Sequence, residues 1–416
     1  MFNAISRKLW LARHRKSFRR HPRQTVLKKR LLVDLSTIHR HDARTGIQRV
    51  VRGIMFALEG MQFPHHELTP VAGSARRGYC YLRCDETGQI CLGEPVAANA
   101  GDIFLGLDLS ARQIPQYIEQ LRQWRIAGAE LHVIIYDLLP LLHPNYFRSK
   151  TCQFFREWME CIRTEFSSAI CISETVAGEL QNFIENDPSP RTPSLRISSI
   201  PLGSDLAATS PELGVSQEGA AVIDRLAGEL TVLMVGTIEP RKGYDCALAA
   251  FDRIWTRYPL AQSPNLLIIG RPGWKTERLQ DYLNGHPFRN KRLFWLNEAS
   301  DEILDHFYRS SNLLLSTSYA EGFGLPLWEA SSYGLGVLAR NLEVTRELGL
   351  ANCTLFEDDS AIPLSNKIME TIDVKGLYKP NLTPLPSWSD SASALLSILG
   401  IEALMTDQDT SKVNCR

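Results

Sequence analysis

Arg241 and Lys242 stand side by side where a short apolar run ending at Gly236 and Thr237 gives way to a helix-like stretch entered through Gly243, in VGTIEPRKG. Arg offers a planar fork of donors and Lys a compact point charge, so the pair suits a diphosphate; a solvated basic loop is the plain alternative. Further along, SYAEGFGLPLWEA places Glu321 in a glycine-rich loop and Glu329 eight positions later. Gly322 and Gly324 flank Phe323 and let backbone N–H groups approach a ligand closely. Leu325 and Pro326 then start a helix whose N-terminus favours anions. A carboxylate in that loop can accept hydroxyl hydrogen bonds from a sugar, and one at the helical position can bind the two hydroxyls of a ribose. Glu329 reads equally well as the surface residue of an amphipathic helix. A third segment, LLIIGRPGW, ends a strand at Gly270 with Arg271 beyond it and, with RLFWLNE, would line a base pocket. None of these loops fits GxGxxG or GxxxxGK[ST], which disfavours a dinucleotide oxidoreductase and a P-loop NTPase.

The elements that must hold these residues alternate. In the first half, LLVDLS (31–36), DIFLGLDLS (102–110), ELHVIIYDLLP (130–140) and SSAICISE (167–174) read as strands. Ile47, Val50, Val51, Ile54 and Leu58 mark one helical face, with Gly46 at the helix entrance. Residues 185–220 are rich in Pro, Ser, Gly and Asp around one short strand and read as an interdomain connection. The alternation restarts with strands expected at 229–237, 265–271, 292–296, 312–318 and 336–339, and helices between them. Strands alternating with helices argue for parallel α/β layers, and two such halves for two Rossmann-like domains facing a cleft, with ligand outside the carboxyl ends of the strands.

The formal net charge of zero hides a partition. Of 46 basic residues, 11 fall in residues 1–30, which contain no Asp or Glu, so 35 face the 46 acidic residues of the remainder. Phe2, Ile5, Leu9, Trp10 and Phe18 are interleaved with these cations, a make-up suited to lying on an anionic leaflet; a solvated tail and attachment to nucleic acid are the alternatives, and nucleic acid is not expected as a partner. No apolar run approaches the ~18–20 residues of a bilayer-spanning helix, and early Arg and Lys leave no room for a signal-peptide core. The nine cysteines are scattered without CxxC spacing and read as reduced thiols of a cytosolic protein.

Taken in order, VGTIEPRKG, LLIIGRPGW, the stretch from NEASDEIL through YAEGFGLPLWEASSYGLGVLA, and SWSDSASALLSIL resemble retaining glycosyltransferases of family 4, which have the two-domain GT-B fold. The pair Glu321 and Glu329 around GFGLP is the most specific element. In the first half, LLVDLS, TGIQRVVRGI, VIIYDLLPLLHPNYF, AICISE and IPLGSD resemble a bacterial subgroup that builds polysaccharides with mannose or deoxysugars.

That resemblance implies an α/β GT-B chain with a basic tail at 1–30, an acceptor-side domain at 31–205, a nucleotide-sugar domain at 206–385, and a closing helix and tail at 386–416 that pack back on the first domain. It implies that Arg241 and Lys242 hold a donor diphosphate and Glu329 the ribose. Glu321 and the backbone of Phe323, Gly324 and Leu325 would meet the donor sugar and phosphates, with Gly236, Thr237, Gly270 and Arg271 around the nucleotide. Gly46 would let the first domain approach the phosphates, and Asp137 would face the reacting sugar. Relatives often place His before that Asp, where this chain has Tyr136; His143 is a poor substitute. The expected activity is transfer of a hexose, with GDP-mannose favoured, to a glycan acceptor that is lipid-linked. No metal or other cofactor is expected, and the enzyme should be peripheral at the inner face of the cytoplasmic membrane. A catalytically silent nucleotide-sugar-binding subunit is the alternative.

Overall fold

The computed structural model describes residues 28–42, 45–85, 89–187, 195–205, 214–373 and 385–405. All but the last three residues of the basic tail lie outside the described residues. The chain divides into two compact units: one comprises residues up to Pro144, Arg148–Gly203 and the chain from Pro386, the other Asn145–Phe147 and Ser204–Leu385. Among the described residues, no helix is long and apolar enough to cross a membrane.

The first unit contains β1 (Lys29–Asp34), β2 (Met61–Gln62), β3 (His66–Ser74), β4 (Gly78–Cys84), β5 (Ile90–Pro95), β6 (Ile103–Gly106), β7 (Glu130–Ile135), β8 (Ser168–Cys171) and β9 (Arg196–Ser199). Its large sheet runs β5-β4-β3-β1-β6-β7-β8-β9, parallel from β3 to β9, with β4 and β5 added antiparallel at one edge. Leu31, Leu32 and Val33 of β1 are fully buried, as a parallel strand covered on both faces requires. The strands β3 to β5 are an addition to what the sequence suggests. β3 carries Pro70 and Gly73, which dilute its strand character, and it is held by register with the buried β1, Leu31 against Leu68 and Val33 against Pro70. Here tertiary pairing overrides local propensity.

The helix Gly46–Glu59 follows Thr45, whose N–H donates to Gln48 Oε1 at 3.2 Å. The closing helix Trp388–Leu399 packs on it within the same unit, as expected. Trp388 is buried, and its ring lies so close to Gly53 that a Cβ there would come within 2.2 Å of it. A side chain at position 53 would therefore push the two helices apart.

The second unit holds β10 (Thr231–Val235), β11 (Asn265–Ile269), β12 (Leu293–Leu296), β13 (Leu313–Ser316), β14 (Val337–Arg340) and β15 (Cys353–Phe356) in the order β12-β11-β10-β13-β14-β15, all parallel. In the first unit, a short β16 (Leu404–Met405) pairs antiparallel with β2. Alternation within the strands builds two cores. Val232, Met234, Leu266, Ile268, Leu313 and Leu315 face the helix Tyr244–Arg257 and the helix Ala361–Asp373. Leu233, Leu267, Ile269 and Leu314 face the helices Asp301–Ser310 and Leu325–Ser332. Five strands and five helices of this unit lie close to where the sequence suggests them. The helix Gln217–Leu226 starts inside the stretch read as a connection, where Ser216 caps it by accepting from Gly219 N–H at 3.1 Å.

Candidate functional site

The order of the second sheet reverses between β10 and β13, because the chain runs from β10 outward through β11 and β12 and then returns to the other side of β10. In such a sheet the crevice outside the carboxyl ends at the reversal is where a ligand sits. The loops after β10 and β13 carry Arg241, Lys242 and Glu321.

After β10 the chain passes through Glu239 into a single tight turn, Pro240–Lys242, and then through Gly243 into the helix Tyr244–Arg257. Gly243 has φ 63°, and a Cβ on it would lie 2.4 Å from the carbonyl oxygen of Thr317. Only glycine permits both the conformation and the approach. The Thr317 hydroxyl contacts the carbonyls of Lys242 at 2.9 Å and Gly243 at 2.8 Å, and Tyr319 N–H donates to the carbonyl of Arg241 at 2.7 Å. The turn after β10 is thus fastened by its main-chain carbonyls to the loop after β13.

The side chains complete the join. Arg241 Nε donates to Glu239 Oε2 at 2.9 Å, and Nη1 donates to Glu321 Oε2 and to the Ala320 carbonyl, each at 2.9 Å. Lys242 Nζ donates to the other oxygen, Glu321 Oε1. Burial works against ionisation of Glu321, but Lys242 and Arg241 outweigh it and hold the carboxyl at about 2, below its ordinary range. Burial dominates at Glu239 and raises its pKa despite Arg241 and Lys242. Glu239 escaped the sequence reading; its place two residues before Arg241 on the same loop is the signal that could have found it.

The neighbouring strand ends lie beside this network. Gly236 N–H donates to the Ile269 carbonyl at 3.0 Å, Ile238 N–H to the Arg271 carbonyl at 2.8 Å, and Gly270 N–H to the Leu296 carbonyl at 2.9 Å. Tyr244 Oη donates to the Gly236 carbonyl at 2.6 Å, and Trp295 Nε1 to that of Gly270 at 2.8 Å. Thr237 and Arg271 are half-buried there. Gly324 precedes the helix Leu325–Ser332, and Phe323 packs edge-on against Trp328 with ring centroids 5.6 Å apart. Glu329 is not a surface residue: it is 2% exposed and accepts from Tyr308 Oη at 2.7 Å.

In the first unit, Gly46 is exposed as the first residue of its helix. Asp137, just past β7, is half-buried, and its Oδ1 accepts from Leu139 N–H at 3.1 Å. Tyr136 is buried and donates to the Leu107 carbonyl at 2.6 Å. The carboxyl ends of β1 and β6, where this sheet also reverses, hold a carboxylate pair the sequence reading passed over. Asp34 accepts from Ser36 N–H at 2.9 Å, from the Ser36 hydroxyl, and from Tyr79 Oη at 3.1 Å. Asp108 Oδ2 accepts from Thr37 and Ile38 N–H, both at 2.7 Å. Burial, with the charge of Asp34, pushes Asp108 up to about 7. The repeated Asp-Leu-Ser at 34–36 and 108–110 was the available signal. Among the described residues no three His, Cys, Asp or Glu side chains are grouped to hold a metal ion.

The family model for glycosyl transferases group 1 matches residues 220–379, which include Glu239, Arg241, Lys242, Glu321 and Glu329. Over 403 residues the chain is 33% identical to the serotype-specific mannosyltransferase WbdA of Escherichia coli, a match covering 94% of this chain and 46% of that protein. The chain spans about half the length of the curated relatives of that name. Sucrose-phosphate synthase from Thermosynechococcus elongatus is similar in structure, with a TM-score of 0.59 at 15% identity over 90% of this chain and 98% of that one. The Anabaena protein HepE in complex with UDP-glucose gives a TM-score of 0.56 at 14% identity, over 89% and 94% of the two chains. At such identities the likeness is one of fold, and that fold is GT-B. The domain at residues 220–379 is thus that of the glycosyl transferases group 1, set in a chain with the GT-B fold.

Proposed function

We propose that this chain transfers a mannosyl residue from GDP-mannose to a growing bacterial surface glycan carried on a lipid, with retention of configuration and without a metal ion. The observation that carries the reading is the cluster of Arg241, Lys242 and Glu321 at the carboxyl ends of β10 and β13. The choice of sugar is supported by the likeness to a mannosyltransferase, and a nucleotide sugar as donor by the complex of HepE with UDP-glucose.

Breaking a sugar–diphosphate bond develops negative charge on the departing phosphate and positive character at the anomeric carbon. Lys242 and the N-terminus of the helix Leu325–Ser332 meet the negative charge, and preorganised donors of this kind are each worth roughly 3–4 kcal/mol. The backbone of Phe323, Gly324 and Leu325 contacts sugar and phosphates, Glu321 the sugar hydroxyls, and Glu329 the ribose. Gly236, Thr237, Gly270 and Arg271 surround the nucleotide, while Gly46 and Asp137 serve the acceptor side. The departing phosphate takes the proton of the attacking hydroxyl on the same face, and Lys242 with that helix N-terminus makes a divalent ion unnecessary. Residues 1–30 keep the enzyme at the inner face of the cytoplasmic membrane, through anionic lipid.

The test is a thermal-shift screen with GDP-mannose, dTDP-rhamnose and UDP-sugars, since a ligand that binds only the folded state raises Tm by mass action. It is followed by transfer assays in EDTA, with proton NMR of the product. GDP-mannose should give the largest shift and an α-linked product from the α-linked donor. An inverted product would remove retention, loss of activity in EDTA would remove metal independence, and no shift with any nucleotide sugar would remove the reading as a whole.

A further inference from the structure

Arg241 and Lys242 are neighbours in sequence but are held differently. Arg241 is engaged on several sides: Nε on Glu239, Nη1 on both Glu321 and the Ala320 carbonyl, and its own carbonyl on Tyr319 N–H. To turn toward a ligand it would have to leave two mostly buried carboxylates, one of which, Glu239, is only 8% exposed at its side chain. A buried carboxylate left without its partner is strongly disfavoured. The side chain of Lys242 makes one hydrogen bond among the described residues, to Glu321. Its ammonium is a compact point charge on a flexible stem, 12% exposed and held by a single carboxylate, whereas the guanidinium fork is fixed to one geometry.

Building on the functional reading above, we infer a division of labour in which Glu239 and Arg241 form a strut that positions Glu321, while Lys242 exchanges its bond to Glu321 for the donor diphosphate. In the free protein Glu321 therefore occupies, as an anion, the partner that the diphosphate later takes. Ligand binding replaces one anion on Lys242 by another, and Arg241 keeps Glu321 from following Lys242. Glu321 is then left beside the sugar with its orientation retained. Glu239 and Arg241 are positioning residues here, and Lys242 is the one that touches the substrate.

The measurement is the Kd of GDP by titration calorimetry, together with kcat and KM for transfer, in the wild-type chain and in Lys242→Gln, Arg241→Gln, Glu239→Ala and Glu239→Gln. Lys242→Gln should weaken GDP by about tenfold to a hundredfold, the loss of a charge-assisted contact. Arg241→Gln and Glu239→Ala should leave Kd within about threefold of wild type and lower kcat by about a hundredfold, as displacement of a group at the reacting centre does. Glu239→Gln, which keeps an oxygen acceptor for Arg241 Nε, should recover much of the kcat lost in Glu239→Ala. Partial misfolding of a variant lowers the calorimetric stoichiometry and not the Kd, so the comparison survives it. Equal weakening of GDP in Arg241→Gln and Lys242→Gln, or an unchanged kcat in Glu239→Ala, would overturn the assignment. A wild-type chain that binds neither GDP nor any other nucleoside diphosphate would instead sink the functional reading, and this assignment with it.

Discussion

Asp108 is a buried and Glu321 a mostly buried carboxylic acid, each past the carboxyl end of a parallel strand, and their surroundings drive them in opposite directions. Glu321, ordinarily near 4.5, is held at about 2 by Lys242 and Arg241 in spite of its burial. Its contribution to stability is fully present above pH 4.5 and is lost as pH falls through 2, amounting to roughly 2–4 kcal/mol. Urea unfolding between pH 6 and pH 3 should therefore show a steeper acid loss in wild type than in Glu321→Gln; parallel curves would count against the ion network. Asp108, ordinarily near 3.8, is raised to about 7 by burial and by Asp34. The folded chain then binds the extra proton, so this contribution is present below pH 3.8 and is lost as pH rises through 7. Asp108→Asn keeps an acceptor for Thr37 and Ile38 N–H and should flatten stability between pH 4 and pH 8. A variant retaining the wild-type slope there would show that Asp108 is ionised throughout.

Two junctions between elements depend on missing side-chain atoms. At Gly243, a methyl group meets the Thr317 carbonyl at 2.4 Å in a left-handed backbone. Gly243→Ala should detach the turn Pro240–Lys242 from the loop after β13 and cost about 1–3 kcal/mol from strain and clash. Transfer should fall at least as far as in Lys242→Gln, since both cations lose their place; a variant with full activity would show that the loops need not touch. At Gly53, the ring of Trp388 occupies the space of a side chain. Trp388→Ala should cost about 3–5 kcal/mol in denaturant unfolding. In a double-mutant cycle Gly53→Ala should cost far less on that background than on wild type, because the clashing ring is gone. Additive costs would mean that the closing helix does not pack on Gly46–Glu59.

For the whole molecule, charge is informative only in its distribution. A tail carrying 11 Lys or Arg in residues 1–30 precedes a remainder with 35 basic and 46 acidic residues. Each cation near an anionic leaflet contributes about 1 kcal/mol, enough in sum to hold a peripheral protein in place at low salt. Removal of residues 2–28 should release the chain from anionic vesicles in a flotation assay and leave soluble nucleotide binding intact. Flotation that persists after the deletion would assign membrane attachment elsewhere.

The pattern of the chain by itself determined the second unit: strands such as Thr231–Val235 and Asn265–Ile269 are uninterrupted apolar runs after their first residue, and burial on both faces of a parallel sheet requires that composition. It also marked Arg241, Lys242 and Glu321, because charged residues next to glycines at strand ends have few structural reasons to be there. The edge strands β3 to β5 were hidden, since Pro70, Gly73 and a half-exposed hairpin acquire their strand geometry from pairing with neighbours. Glu239 and the pair Asp34 and Asp108 were hidden for a related reason. Burial and charge at these sites are set by residues distant in the chain, such as Glu321 for the first and Thr37 and Ile38 for Asp108. The sequence determined which residues could do chemistry; only the tertiary structure decided which cation meets two carboxylates and which meets one, because that depends on partners brought together across the sheet.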